Sequence, residues 1–142
     1  IALPDGFVGN EYENKCMESM KISHDNPHHT LDIFDHCMSA ALYSINNRFA
    51  MDIKVAALYH DIGKPYVKAF IDSKGNECDT AHYYQHQCVG AWMAYGLEVD
   101  PFVVWLIGVH MDTYLNTKYY NKLPNFLKSK VDLLHEADEA AH

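Results

Sequence analysis

Apolar residues recur every three or four positions along most of this chain, which is the spacing of amphipathic α-helices. The pattern is clearest over residues 31–45, where Thr30 is available as the N-cap. It resumes over residues 51–60, with Gly63 predicted as the C-cap and Pro65 as the residue that stops the helix. Further helices are predicted over residues 11–22, 84–97 and 102–111, and from residue 126 to the C-terminus.

Two segments depart from simple amphipathic spacing. Residues 66–80 lose the helical pattern, and Lys74-Gly75-Asn76 within them predicts the turn of a β-hairpin, because glycine readily adopts the positive φ of a tight reversal. Residues 102–111 are apolar on every face, which predicts a central helix, and Asp100-Pro101 before them forms an N-cap and N1 pair. The chain is therefore predicted to be one all-α domain over residues 1–142, a helical bundle with a small β-hairpin insertion.

The charge balance argues against one class of partner. The chain of 142 residues has 11 Lys and Arg against 19 Asp and Glu, a formal net charge of -8 at pH 7. Wrapping a phosphate backbone requires the opposite sign, so no stable binding of duplex nucleic acid is expected. The hydrophobic share of 49% is close to the globular average, which predicts a packed core.

Neither a membrane span nor a secretion signal is predicted. The longest apolar run, residues 102–109, is far shorter than the ~20 residues that cross a bilayer. The N-terminus lacks the basic and apolar segments of a signal peptide, although the chain does not begin with Met and a segment could have been removed. The four cysteines show no Cys-x-x-Cys spacing, so a reduced, cytoplasmic protein is expected.

Histidine is unusually frequent, with ten copies. Five predicted helices each carry a histidine or aspartate that could serve a site, namely His36, His60 with Asp61, His86, His110 and Asp138. A single histidine at the end of an apolar helix is more often satisfied by an ordinary hydrogen bond. The pair His60-Asp61 carries more information, because two ionisable groups after an apolar run destabilise the fold unless a partner or a metal compensates them.

The segment around this pair resembles a known family. Residues 56–65, with the sequence AALYHDIGKP, resemble the signature of the HD-domain metal-dependent phosphohydrolases, and residues 26–36, NPHHTLDIFDH, resemble the stretch that carries the first histidine of that family. Segments around His86, His110-Met111 and Ala137-Asp138 match its later motifs in order. The chain is most similar to the HD domain of RNA nucleotidyltransferases, here expected as a stand-alone domain.

The resemblance implies a set of metal ligands. The implied first ion is held by His36, His60, Asp61 and Asp138, and the implied second ion by His86 and His110, with Asp61 as the bridge. One or two ions are expected, and the presence of both later histidines favours two. Imidazole and carboxylate ligands without thiolate suit Mn, Fe, Ni, Zn or Mg.

Residues next to these ligands allow more than one interpretation. Asp61 and Lys64 are the candidate catalytic residues, although Lys64 is equally compatible with a solvated side chain in the last turn of a helix. His28 and His29 are interpreted as loop histidines in water. Gln85 and Gln87 stand where the similar branch usually has Gly and Glu.

The function implied by the resemblance is metal-dependent hydrolysis of a phosphomonoester or phosphodiester, with a small phosphorylated substrate, such as a nucleotide, as partner. Two ions would activate a water molecule and neutralise phosphate oxygens. Tyr83 and Tyr84 could stack on a base, but tyrosines at helix ends more often bridge core and water. Two alternatives stay open: a non-catalytic HD-fold module that binds a nucleotide or a protein, and a di-iron oxygenase. The sequence does not predict the oligomeric state.

Overall fold

The structure, a computed structural model, describes residues 11–141 and is dominated by helices. In chain order the elements are α1 (Glu11–Ser19), α2 (Ile33–Asn46), α3 (Met51–Tyr59), α4 (Lys64–Val67), β1 (Ala69–Ile71), β2 (Glu77–His82), α5 (His86–Gly96), α6 (Pro101–Val109), α7 (Asp112–Leu115), α8 (Thr117–Lys122) and α9 (Asn125–Ala140). The predicted all-α class with a small hairpin is confirmed. Within residues 11–141, no helix combines the length and apolarity needed to cross a membrane.

Helix α3 lies at the centre of the bundle because it packs against α2, α6 and α9. Every residue from Val55 to Tyr59 is buried, as expected for an unbroken apolar run. Helix α5 packs against α6, and α2 packs against α9. The C-terminal end of α3 is therefore enclosed by other helices, and the pair His60-Asp61 follows directly after it.

The two N-caps that the sequence predicted have different outcomes. Asp100 caps α6 as predicted, and its side chain accepts a hydrogen bond of 2.8 Å from the backbone N–H of Phe102. The prediction of Thr30 as the cap of α2 is wrong, because α2 begins two residues later and Asp32 accepts from the backbone N–H of Asp35 at 2.6 Å. A carboxylate at this position also interacts favourably with the positive end of the helix dipole.

The predicted role of Gly63 as a C-cap is also wrong. Helix α3 ends at Tyr59, Gly63 has an ordinary right-handed φ of -80°, and Pro65 lies in the first turn of α4 instead of stopping a helix. A Cβ atom at Gly63 would lie 2.5 Å from the backbone nitrogen of Gly90 and 2.5 Å from the carbonyl oxygen of His86. Glycine is needed here for the close approach of α5 rather than for a turn.

The hairpin agrees with the prediction, and the segment before α9 contains two short helices that the sequence did not predict. Strands β1 and β2 pair antiparallel with Ala69 opposite His82, and Gly75 has the expected positive φ of 85°. Most of residues 113–122, between the predicted helices, form the short helices α7 and α8. The segment contains neither Gly nor Pro to break a helix, and Asp112 and Lys122 lie at the ends that the helix dipole favours.

Candidate metal centre

Four buried histidines have the same orientation towards a common centre. Each ring places Nδ1 against a backbone carbonyl oxygen, and the pairs are His36 with Ala141, His60 with Ala57 at 2.7 Å, His86 with Tyr83 at 2.9 Å and His110 with Ile107 at 2.6 Å. Because a carbonyl can only accept, Nδ1–H donates and Nε2 carries the lone pair of each neutral ring. All four Nε2 atoms are thereby left as potential metal ligands.

Local chain geometry explains two of these orientations. His60 and His110 directly follow the last residues of α3 and α6, and each bonds the carbonyl three residues earlier. Carbonyls in the last turn of a helix have no partner within the helix, so a histidine at this position finds an acceptor in its own chain. The Nδ1–H group of a histidine at the end of an apolar helix therefore has a hydrogen-bond acceptor, and this hydrogen bond also orients the ring.

The first group of donor atoms comes from three separate places in the chain, because His60 and Asp61 are neighbours. Asp138 Oδ1 lies 2.8 Å from His36 Nε2 and 3.2 Å from His60 Nε2. Asp61 Oδ2 lies 3.4 Å from each of the same two nitrogens. Ligands bound at about 2.0–2.2 Å from one ion lie about 2.8–3.6 Å apart. These four side chains could therefore hold one metal ion.

A second group shares Asp61 with the first. Asp61 Oδ1 lies 3.2 Å from His86 Nε2 and 3.5 Å from His110 Nε2, so the two carboxylate oxygens of Asp61 face different histidine pairs. These three side chains could also hold an ion. The structure thus brings together all six side chains that the resemblance implied as ligands, with Asp61 between the two groups.

The histidine pairs show that the centre fits a cation. His36 Nε2 lies 3.2 Å from His60 Nε2, and His86 Nε2 lies 3.1 Å from His110 Nε2. In the neutral tautomers fixed by the carbonyls, two lone pairs face each other across each of these distances. All four rings are at most 5% exposed, so water does not relieve this repulsion. A divalent ion bound by imidazole nitrogen and carboxylate oxygen satisfies this donor set.

The carboxylates of the centre are held in their charged form. Burial alone would raise the pKa of Asp61, but His60 and Lys64 lower it well below its usual range. The pKa of Asp138 is likewise lowered by His60 and His36 against the effect of burial. The pKa of His60 is raised well above its usual value by Asp61 and Asp138, although burial opposes this. The centre therefore attracts positive charge, either a proton on His60 or a metal ion.

Lys64 is part of the centre, and its interpretation as a solvated lysine is wrong. The residue is 5% exposed, and its Nζ lies 3.1 Å from Asp61 Oδ2. The ammonium group also lies 5.0 Å from the centroid of the Tyr83 ring, within the range of a cation–π contact. Lys64 thus places a buried positive charge directly beside the shared carboxylate.

His24 supports Lys64 and was missed by the sequence interpretation. Its ring is 1% exposed, Nδ1–H donates to the Leu31 carbonyl at 2.8 Å, and Nε2 lies 3.2 Å from Lys64 Nζ. Burial and the charge of Lys64 lower the pKa of His24 to about 4, so the ring is neutral and accepts from the ammonium group. His24 stands in a polar run that is typical of a loop, and its partner is 40 residues away, so no local pattern identifies it.

The two other loop histidines have different surroundings. His28 is exposed, as expected. His29 is half-buried and stacks on His24 with ring centroids 4.0 Å apart, so its interpretation as a loop histidine in water is wrong. Burial, together with Lys64 nearby, lowers the pKa of His29 to about 3. His24 and His29 thus form a neutral, stacked pair beside Lys64.

A cleft leads from the surface to the centre. Its volume is about 560 Å³, and Asp61, Lys64 and His86 line it together with Tyr114 and Glu139. Clefts of roughly 300–1,000 Å³ suit small-molecule ligands. The buried donor atoms are therefore reachable by a small substrate.

The fold and the centre together define a helical protein with a buried histidine and aspartate metal site. The family model of the HD domain matches residues 29–139, a segment that contains all six implied ligands and Lys64 but not His24. This chain therefore belongs to the HD domain family, whose members are generally metal-dependent phosphohydrolases. A comparison with curated proteins finds no match.

Proposed function

We propose that the protein is a phosphohydrolase that uses two divalent ions to cleave a phosphomonoester or phosphodiester of a small substrate such as a nucleotide. One observation carries the proposal: the two oxygens of Asp61 face two separate pairs of imidazole Nε2 atoms. Ions bound in this way would supply an activated water and compensate the negative charge of a phosphate group.

The other groups of the centre have roles that follow from their positions. Asp61 and Asp138 are negative and would repel a phosphate group, so substrate binding depends on the cations beside them. Lys64 lines the cleft with a buried ammonium group and would donate to a phosphate oxygen. His24 accepts from Lys64 and directs its remaining N–H bonds towards Asp61 and the cleft.

The alternatives are less well supported by the same contacts. A di-iron oxygenase could use the same ligands, but it does not require a buried lysine beside Asp61. A non-catalytic module does not require two complete donor groups in one buried place. Lys64 and the two groups together favour hydrolysis of an anionic ester.

Metal content and phosphate release test the proposal together. Protein purified without chelator should hold two divalent ions, and chelation should lower its melting temperature. Adding back Mn, Fe, Ni, Zn or Mg should restore it, since an ion at 100 times its Kd stabilises the native state by about 2.7 kcal/mol. Release of p-nitrophenol from its phosphate mono- and diesters should require the ions and proceed without oxygen.

His86→Ala should reduce the metal content to one ion, because it removes one of the nitrogens that face Asp61 Oδ1. The matched control is His28→Ala, an exposed histidine outside both donor groups, which should keep two ions. The proposal fails if wild-type protein holds no ion and gains no thermal stability from added Mn, Fe, Ni, Zn or Mg. Turnover that depends on oxygen would instead support the oxygenase.

Two substitutions of His24 separate its two hydrogen bonds. In His24→Gln the side-chain amide reaches the place of Nε2 and can accept from Lys64, whereas in His24→Asn it reaches only the place of Nδ1 and can donate to Leu31. We expect kcat/KM for p-nitrophenyl phosphate to fall at least about tenfold further in the Asn variant than in the Gln variant. If His24 only held the Leu31 loop, the Asn variant would be the more active of the two.

A further inference from the structure

A second cleft adjoins the metal centre. Its volume is about 380 Å³, and it shares Lys64, His86 and Met111 with the first cleft. On the basis of the proposed function, we propose that this second cleft binds the nucleobase of a nucleoside phosphate. We call it the base cleft, and His82, Tyr84 and Gln87 line it beside the shared residues. The phosphate group then lies at the metal centre, and the Gln87 carboxamide pairs with the hydrogen-bonding edge of the base.

Gln87 is the strongest reason for this assignment. The residue is only 7% exposed, and its buried Oε1 has no hydrogen-bond partner among residues 11–141. Burying a polar atom without a partner destabilises a protein, and each such atom calls for an explanation. A ligand in the base cleft would supply the missing hydrogen-bond partner, because Gln87 lines the wall of this cleft. Rotation about the terminal side-chain bond, which has a broad torsional profile, turns either end of the amide towards the cleft.

The place of Gln87 in the chain connects the base cleft to the centre. Gln87 lies in the first turn of α5 directly after His86, whose Nε2 faces Asp61 Oδ1 at 3.2 Å. A ligand that contacts both residues therefore extends from the metal centre into the base cleft. A carboxamide offers both a donor and an acceptor, which is the combination that pairs with the edge of a base.

The aromatic wall of the base cleft suits a planar ring. His82 and Tyr84 stack with ring centroids 5.5 Å apart and planes within 6° of parallel. Tyr84 is 46% exposed, and its hydroxyl donates to the Ile71 carbonyl at 3.0 Å, which fixes the ring against the hairpin. A fixed aromatic face that is open to solvent can stack on any nucleobase, because every base has a π-face.

Gln87→Met and Tyr84→Ala test the two contacts separately. Methionine has a similar size and is apolar, so it fills the same space without the amide. For each variant we would measure kcat/KM for the four nucleoside 5′-monophosphates, ribose 5-phosphate and p-nitrophenyl phosphate. Wild-type protein should prefer a nucleotide over ribose 5-phosphate by about 10- to 100-fold, the range expected for stacking on one base. Either substitution should remove most of this preference, because it should lower kcat/KM for the nucleotides far more than kcat/KM for ribose 5-phosphate.

Tyr95→Ala is the matched control, since this tyrosine is 70% exposed and lies outside both clefts. It should keep the preference for nucleotides. A second measurement does not depend on catalysis: saturation-transfer NMR of the four nucleosides with metal-free protein should show binding to wild type and weaker binding to Gln87→Met.

The outcomes distinguish this proposal from the proposed hydrolase. Binding of nucleosides that depends on Gln87, together with no hydrolysis of any ester, would leave the base cleft standing and overturn the hydrolase. Hydrolysis of p-nitrophenyl phosphate and ribose 5-phosphate with no preference for nucleotides, and no nucleoside binding, would overturn the base cleft alone. Unchanged selectivity in Gln87→Met would also overturn the assigned role of Gln87.

Discussion

Replacing Asp61 by Asn should lower hydrolysis of a phosphate ester by at least about 10²–10³-fold and leave the fold largely intact. The substitution is nearly isosteric, so it creates no cavity. It removes the charge that faces both histidine pairs and Lys64, whose Nζ lies 3.1 Å from Asp61 Oδ2. We expect the metal content to fall together with turnover, because the carboxylate contributes a donor atom to each group.

The effect of the same substitution on stability can also be predicted, and it is destabilising. The pKa of Asp61 is lower in the folded protein than in the unfolded chain, so its charged form stabilises the fold at every pH above its unfolded pKa. Removing one partner of a buried ion pair destabilises a protein by roughly 3–5 kcal/mol. Asp61→Asn should therefore melt below wild type even in excess chelator. A buried carboxylate without compensating partners would give the opposite result.

The measurement for this variant is a pair of melting temperatures, one in chelator and one with added metal, together with turnover of p-nitrophenyl phosphate. Wild type should gain thermal stability from metal, and Asp61→Asn should gain much less. Asp79→Asn, an exposed carboxylate on β2, is the control and should match wild type in both measurements. If Asp61→Asn kept wild-type turnover, the non-catalytic binding module would become the better interpretation.

The sequence predicted most of the helices because their apolar spacing is also the spacing of their buried faces. Helix α3 is the clearest example, since its unbroken apolar run from Val55 to Leu58 is the part that the neighbouring helices bury. Short helices are harder to predict: α7 and α8 have too few residues to show a helical period. The predicted cap of α2 was Thr30 and the observed cap is Asp32, because both residue types are good N-caps and they lie only two positions apart.

The centre could be predicted only through the resemblance, because its side chains come from distant parts of the chain. Apolar spacing places His36 and His110 on or beside helices, but it does not show that their nitrogens meet at Asp61. His24 has neither helical spacing nor a neighbouring motif, so only the fold reveals its contact with Lys64. Predictions that depend on a single helix therefore agree with the structure better than those that depend on how helices pack.

Gly63→Ala should destabilise the protein far more than its backbone conformation suggests. A φ of -80° is available to alanine, so the conformation alone predicts a neutral or slightly stabilising substitution. The added Cβ atom would lie 2.5 Å from the nitrogen of Gly90 and from the carbonyl oxygen of His86. Both are backbone atoms that cannot rotate away, so the N-terminal turn of α5 must move. Strain of this kind typically costs 1–3 kcal/mol and occasionally more.

Movement of α5 also affects the centre, because His86 begins that helix and contributes the nitrogen 3.2 Å from Asp61 Oδ1. Gly63→Ala should therefore lower both the free energy of unfolding in urea and the number of bound ions. Gly108→Ala on α6 is the matched control: its Cβ would meet only the Ala91 Cβ at an ordinary 3.6 Å, and alanine in a helix is favoured over glycine by about 1 kcal/mol. This variant should be as stable as wild type or more stable. Equal stability and equal metal content in the two variants would show that α5 can shift away from residue 63 at little cost, and the close approach would then not be what places His86.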